Sequence, residues 1–187
     1  MKRRWLPAMA LLTLTGCGYN TIQTMDEQVN GYKSQIGVQL QRRNDLIPNL
    51  VAVVQKFAAH ESTVFIGVTE ARAKMGGAMT AGNLPQMAEA SQAMTQSLGR
   101  LIAVAEAYPQ LKSDANFRSL QDQLEGTENR IGTAREDYNN AVKAYNAYIR
   151  GFPQVLTAKV TGAKARDYFQ ATAGAEKAPN VDSLMKR

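Results

Sequence analysis

The chain has 187 residues, of which 44% are hydrophobic and 20% are charged. This composition is typical of one globular domain with its own core, and it excludes intrinsic disorder as the default. The formal net charge is +6, but three of the 22 basic residues lie at positions 2–4, which leaves 19 basic against 16 acidic residues from Cys17 onward. Because these basic residues are spread along polar faces and form no stripe with interleaved aromatic residues, we expect no nucleic-acid binding.

The N-terminus has the layout of a bacterial lipoprotein signal peptide. The basic segment Lys2-Arg3-Arg4 precedes an apolar run from Trp5 to Leu14, whose ten residues are too few for the roughly 20 that a membrane-spanning helix needs. The run leads into Leu14-Thr15-Gly16-Cys17, where small residues precede the only cysteine. We therefore predict that residues 1–16 are a signal peptide and that lipidated Cys17 begins a short tether, residues 17–22. The alternative is an ordinary signal sequence that contains a cysteine by chance.

Lipidation of Cys17 would consume the sole thiol, which excludes disulfides and cysteine catalysis. Two or three acyl chains, as mature bacterial lipoproteins carry, would hold the protein stably on a membrane. Gly18, rather than an aspartate, follows the cysteine. We therefore expect a lipid-anchored protein of the cell envelope, on the periplasmic face of the outer membrane if the source has two membranes.

The first predicted element is a long amphipathic helix from Tyr19 to about Met75, ended by Gly76-Gly77. A proline removes one backbone hydrogen bond and crowds the carbonyl four residues earlier. Pro48 is therefore predicted to kink this helix or to split it, with Asp45 as N-cap of the second half. Apolar residues recur at steps of seven on both sides of this interruption: Ile22, Val29, Ile36, Leu50, Phe57 and Val64.

Asn83 is predicted to cap a second helix, which ends at Tyr108 because the residue before Pro109 avoids helical geometry. A third helix is predicted to begin near Ser113 or Asp114. Its apolar spine also recurs at steps of seven: Phe117, Leu124, Ile131, Tyr138, Tyr145 and Phe152.

Gly151 and Pro153 are predicted to end the third helix. Long helices joined by short turns pack antiparallel, so we predict an all-α, antiparallel up-and-down bundle of three to four long helices over residues 23–170. Residues 155–169 could add a short helix at one end of the bundle. Residues 171–187 are expected to form a loose tail.

No catalytic or metal-binding motif is present. His60-Glu61 could begin a zinc motif, but position 64 is Val64 and the chain has no other histidine, so the motif fails. No serine nucleophile motif or phosphate-binding loop accompanies it. We therefore expect no enzyme activity, no metal site and no cofactor.

Two tyrosine–asparagine pairs, Tyr138-Asn139 and Tyr145-Asn146, lie seven residues apart. A tyrosine ring can be buried while its hydroxyl finds a partner, so the simplest interpretation is a polar ladder that fixes the register of packed helices. The alternative is a groove for a partner protein, since tyrosine is favoured at interfaces.

The charged stretch around Pro48 allows a similar pair of interpretations. Arg42, Arg43 and Asp45 can form an ion-paired network at the interruption, or an anion site beside free backbone N–H groups. The candidate interaction or polar-network positions here and nearby are Arg42, Arg43, Asp45, Asn49, His60 and Glu61.

Together these residues resemble the LemA family. The motifs that carry the resemblance span nearly all of the chain after the predicted signal peptide: Tyr19-Asn20, residues 39–51, His60-Glu61, Ala71-Arg72, residues 105–111, Tyr138-Asn139, Tyr145-Asn146, Phe152-Pro153 and residues 178–181. The resemblance implies an extracytoplasmic bundle of long antiparallel helices tethered to a membrane, with no established catalytic activity or cofactor. Many similar proteins keep an uncleaved N-terminal membrane helix, from which the Leu14–Cys17 motif departs.

The leading hypothesis is therefore a membrane-anchored, non-catalytic scaffold or adaptor that binds another envelope protein of unknown identity. Two alternatives remain open: a small-molecule-binding or accessory subunit of an envelope enzyme, and a purely structural envelope protein.

Overall fold

The computed structural model describes the backbone of residues 6–170 and the side chains of residues 18–170. Positions 1–5 of the predicted signal peptide, the Cys17 side chain and the predicted tail at 171–187 lie outside these described parts. Over residues 6–170 the chain contains helices and no strand, which confirms the predicted all-α class. Within this range no helix is both long enough and apolar enough to cross a bilayer. The helices are α1 Leu6–Phe57, α2 Ser62–Ala81, α3 Leu84–Ala107, α4 Pro109–Ser113, α5 Ala115–Arg150 and α6 Gln154–Thr161.

Helix α1 continues through Pro48, so of the two predicted alternatives the split is wrong, and the kink stays a prediction. Pro48 is exposed, whereas Ile47 and Leu50 on either side are almost fully buried. Burial of these two side chains offsets the single backbone bond that the proline removes. Asp45 is consequently not an N-cap, and its carboxylate accepts a hydrogen bond from Gln41 Nε2 at 2.6 Å within the same helix.

The interruption occurs instead at residues 58–61, between α1 and α2. Gly76-Gly77, which the sequence analysis placed at the end of the first helix, lies inside α2. Each glycine costs a helix about 1 kcal/mol relative to alanine, and the buried side chains of Met75 and Ala78 offset this cost. Helix α2 ends at Gly82, whose positive φ of 61° suits a residue without a side chain.

Helix α1 begins at Leu6 rather than at the predicted Tyr19. The predicted ends of the second and third helices are confirmed to within one residue. Asn83 Oδ1 accepts a hydrogen bond from the Gln86 backbone N–H at 3.3 Å, and α3 ends at Ala107. Asp114 Oδ1 accepts from the Phe117 N–H at 2.9 Å and so caps α5. Helix α5 ends immediately before Gly151.

The chain forms two compact units, and α1 and α5 contribute to both. The first unit contains the described residues up to Val38 together with Arg130–Tyr168, and the second contains Gln39–Asn129 and continues from Phe169. In the first unit the predicted seven-residue spacing gives buried side chains from both helices: Ile22, Val29, Ile36, Ile131, Tyr138 and Tyr145. The core of the second unit includes Leu50, Met75, Met94, Leu101, Leu111 and Phe117.

Three of the predicted core positions are wrong. Phe57 is 36% exposed because α1 ends there, and Phe152 is 82% exposed because it follows the end of α5. Val64 is only half-buried, at the start of α2. Around the end of α1 the buried positions are instead Ile47, Leu50, Val54 and Ala58.

Candidate functional site

A non-helical segment, residues 163–168, is fastened to α5 in the first unit. We call this segment the strap. The side-chain amide of Asn146, which is 5% exposed, accepts a hydrogen bond from the Arg166 backbone N–H and donates one to the Arg166 carbonyl, both at 2.8 Å. One buried side chain therefore satisfies both backbone groups of one strap residue, as a neighbouring strand would.

The side chain of Arg166 makes a second attachment, to α1. Its Nε and Nη2 atoms donate to the two carboxylate oxygens of Asp26 at 2.8 and 2.7 Å. The hydrogen bond to Asp26 raises the pKa of the Arg166 guanidinium above its ordinary value, and burial opposes this effect. Tyr145 on α5 also lies close enough to Asp26 for this carboxylate to raise the pKa of its phenol, so residues from α1, α5 and the strap meet at one carboxylate.

Tyr138 holds the strap one residue further along. Its hydroxyl donates to the Asp167 carbonyl oxygen at 2.8 Å, and the residue is 2% exposed. Burial raises the pKa of the Tyr138 phenol, and the Asp167 charge adds to this rise while Arg166 opposes it. Burial likewise raises the pKa of Tyr145, with a further rise from Asp26.

These raised pKa values predict a loss of stability in alkali. The ordinary phenol pKa is about 10. A phenol whose pKa is higher in the folded state contributes stability that is complete below the unfolded-state pKa and is lost as the pH rises through the folded-state pKa. We therefore expect the free energy of unfolding, measured by chemical denaturation, to fall as the pH is raised above about 10.

The variant Tyr138→Phe/Tyr145→Phe should lose part of this alkaline dependence. The control is Tyr19→Phe, because Tyr19 is 46% exposed and this change should leave the dependence as it is in the wild type. An unchanged slope of stability against pH in the double variant would contradict the assignment of the effect to these two phenols.

Arg43 is the centre of a separate polar cluster in the second unit. The residue is 4% exposed, and its Nη1 atom lies 2.7 Å from Glu128 Oε2 on α5. Its Nη2 atom donates to Thr95 Oγ1 on α3 at 2.9 Å, and the Thr95 hydroxyl donates to the Ser91 carbonyl at 3.0 Å. One guanidinium thus joins three helices, which favours the ion-paired network over the anion site.

The other charged candidates do not join this cluster. Arg42, Asn49 and His60 are exposed. Glu61 lies in the interruption before α2, where its Oε1 atom accepts a hydrogen bond from the Tyr108 hydroxyl at 3.3 Å. Across the described residues, no three His, Cys, Asp or Glu side chains are placed to share a metal ion.

Of the tyrosine–asparagine candidates, Tyr138, Tyr145 and Asn146 converge on the strap and Asp26, and Asn139 makes its own contact. Arg166 and Asp26 were not among the predicted site residues, because Arg166 lies in a non-helical segment without periodicity and its contact with Asp26 on α1 spans 140 positions. The burial of Arg43 was predictable, because this residue lies seven residues after Ile36 and seven before Leu50.

These sites consist of side chains that fasten segments of the chain to one another. The sole histidine is exposed. The arrangement can position helices and the strap.

Comparison with known proteins gives a consistent result. A sequence model of the LemA family matches residues 32–182. Magnetosome proteins MamQ 2 and MamQ 1 of Paramagnetospirillum magneticum are each 31% identical to this chain over 188 residues, covering 88% of this chain and 69% of theirs. Magnetosome protein MamQ of Magnetospirillum gryphiswaldense is 28% identical over 187 residues with the same coverage. Because the family match extends over most of the sequence, the chain belongs to the LemA family.

Proposed function

We propose that this protein is a membrane-associated lipoprotein, anchored through Cys17 outside the cytoplasm, which acts as a non-catalytic scaffold or adaptor for other envelope proteins. The observation that carries the proposal is the order of a basic segment, a ten-residue apolar run and a sole cysteine preceded by two small residues. This order suits cleavage before Cys17 and transfer of lipid to its thiol. The presence of Gly18 after the cysteine supports a place on the periplasmic face of an outer membrane.

Family membership supports the adaptor role. The relatives' names assign those proteins to a cellular structure, the magnetosome. In this chain the buried polar groups around Arg43 and Asn146 are occupied with contacts inside the protein. The exposed helix faces therefore remain as the surfaces on which partners would bind.

Intact-mass analysis of the protein extracted from native membranes tests the anchor. We expect a chain that begins at Cys17 and carries the added mass of two or three acyl chains. The Cys17→Ala variant should keep residues 1–16 and gain no acyl mass, because it lacks the thiol that accepts the lipid. A native protein that retains residues 1–16 and a free thiol would refute the anchor.

Crosslinking in the native envelope, followed by purification, tests the adaptor role separately. A scaffold should yield the same crosslinked protein in repeated preparations, and the Cys17→Ala control should yield much less of it because the variant loses its location. Equal recovery from the wild type and the control would count against an adaptor that depends on the anchor.

A further inference from the structure

We propose that α6 and the turn before it form a membrane-contact surface that lies on the bilayer holding the N-terminal anchor. The location of this surface rests on the proposed lipid on Cys17. Its chemistry rests on the exposed side chains of α6, which can be tested with or without that lipid.

An apolar stripe runs along the exposed side of α6. Phe152 is 82% exposed, Leu156 54% and Val160 88%. Their spacing of four residues places Leu156 and Val160 on one side of the helix. Phe152 lies in the turn immediately before α6. Thr157 and Ala158 are buried. Helix α6 is therefore amphipathic, but its larger apolar side chains face the solvent.

This stripe differs from the other exposed apolar residues of the described chain. Elsewhere such residues do not recur at helical spacing on one element, and isolated exposed apolar residues need no explanation. Besides the stripe they are Tyr19, Val38, Phe57, Ile66, Ile102 and Tyr168.

The charge around α6 specifies the kind of surface that it fits. From Tyr138 to Arg166 the sequence contains no aspartate or glutamate. Lys159 and Lys164 are exposed, on α6 and just after it. Apolar side chains flanked by cations are the combination that binds a bilayer with anionic headgroups. The basic residues of this range are Lys143, Arg150, Lys159, Lys164 and Arg166, of which Arg166 is paired with Asp26 and is followed by Asp167.

The position of α6 in the first unit brings this surface to the proposed anchor. A Cβ atom added to Gly18 would lie 3.4 Å from Thr157 Oγ1 and 3.7 Å from Gln154 Cγ, so α6 packs against α1 at this glycine. Gly18 directly follows Cys17. A lipid on Cys17 would therefore hold α6 close to the bilayer surface.

Helix α6 has only eight residues, so its contact with a membrane would be weak if the protein were free in solution. An anchor beside it makes the contact intramolecular, and the high effective concentration then compensates for the weak affinity. The lipid on Cys17 and the α6 surface together would fix the orientation of the first unit on the membrane. A lipid alone would leave this orientation free.

A fluorophore attached to Val160→Cys tests the contact. The full chain is purified from membranes and reconstituted into vesicles of phosphatidylcholine and phosphatidylglycerol. We expect brominated acyl chains to quench this fluorophore and the bilayer to protect it from aqueous iodide. The matched control is Ile102→Cys on α3, where iodide should quench and brominated lipid should not.

The charge requirement is tested with Lys159→Glu/Lys164→Glu. Because each lysine near an anionic surface contributes roughly a fivefold factor, losing two should lower the equilibrium constant for the contact about 25-fold, and repulsion of the two introduced carboxylates should lower it further. Vesicles of phosphatidylcholine alone should weaken the contact in the same direction. Circular dichroism verifies that these exposed substitutions leave the helices intact.

Equal quenching by iodide at positions 160 and 102 in vesicles would overturn the proposal. Protection of position 160 from iodide before vesicles are added would also overturn the proposal. If dilution removes this protection, a second copy of the chain covers the stripe; if dilution does not, residues 171–187 cover it. The number of fluorophores per chain tests the anchor separately. The Val160→Cys variant should carry one fluorophore if lipid has consumed the Cys17 thiol, and two if that thiol is free. In the second case the proposed anchor fails, and the α6 contact stands only if brominated lipid still quenches position 160 in the Cys17→Ser background; without that quenching both proposals fail.

Discussion

Replacing Asn146 with leucine is expected to lower the free energy of unfolding by about 2–3 kcal/mol, because both backbone groups of Arg166 lose their partner. Leucine has a similar volume, so the change removes two hydrogen bonds of 2.8 Å and creates little empty space. Chemical denaturation measures the loss. Hydrogen exchange at the Arg166 amide should accelerate by more than the change in global stability requires, since the strap would detach first.

The matched control is Asn140→Leu, the same change on an exposed position of α5, which should alter stability by no more than about 0.5 kcal/mol. Arg166→Ala should cost about 1 kcal/mol or less, because the Asp26–Arg166 pair is partly exposed and the backbone bonds to Asn146 remain. The order of the three variants is therefore the test. A loss for Arg166→Ala larger than that for Asn146→Leu would refute the role given to the amide.

The parts of the fold that sequence reasoning predicted correctly are those set by local chemistry. The spacing of Ile131, Tyr138 and Tyr145 follows from helix geometry alone, and all three are buried. The caps Asn83 and Asp114 each bond to an N–H three residues ahead, so their signal lies within one turn. Such features need no knowledge of which segments meet in the folded chain.

The interruption between α1 and α2 could not be predicted in this way. It lies at Ala58-Ala59-His60-Glu61, which contains no glycine or proline, whereas Pro48 and Gly76-Gly77 are inside helices. Contacts distant in sequence set this position: Ala58 is buried and Glu61 bonds to Tyr108. Local penalties of about 1–3 kcal/mol for glycine and proline were outweighed by burial of neighbouring side chains.

The strap shows a second limit of sequence reasoning. Arg166 and Asp26 are separated by 140 positions, and a non-helical segment carries no periodicity that would pair it with a helix. Tyr138, Tyr145 and Asn146 were predictable as a polar group from their spacing, but their partners Asp26, Arg166 and Asp167 belong to no repeating pattern in the sequence. Arg43 is the opposite case, because the seven-residue register that passes through it already predicts an inward position.

Glu128→Ala is expected to destabilise the protein by about 2 kcal/mol, less than the 3–5 typical of a fully buried pair, because water already reaches the glutamate. Its side chain is 44% exposed, whereas that of Arg43 is 5% exposed. Removing the carboxylate therefore leaves a buried cation without its anionic neighbour. The free energy of unfolding from chemical denaturation measures the effect, and Arg42→Ala, at an exposed neighbouring position, is the control that should change it by no more than about 0.5 kcal/mol.

The decisive comparison is between Glu128→Ala and the double variant Arg43→Met/Glu128→Ala. Methionine keeps much of the buried apolar stem of Arg43 and removes the charge, so the double variant should be more stable than Glu128→Ala alone. A site that binds an external anion would behave differently. After Glu128→Ala, its Arg43 cation would still be in contact with water or with the bound anion. Adding Arg43→Met would then only increase the loss of stability. If the double variant is less stable than Glu128→Ala, the result would therefore support the anion-site interpretation of Arg43. If the double variant is more stable, the guanidinium is a structural connection between α1, α3 and α5.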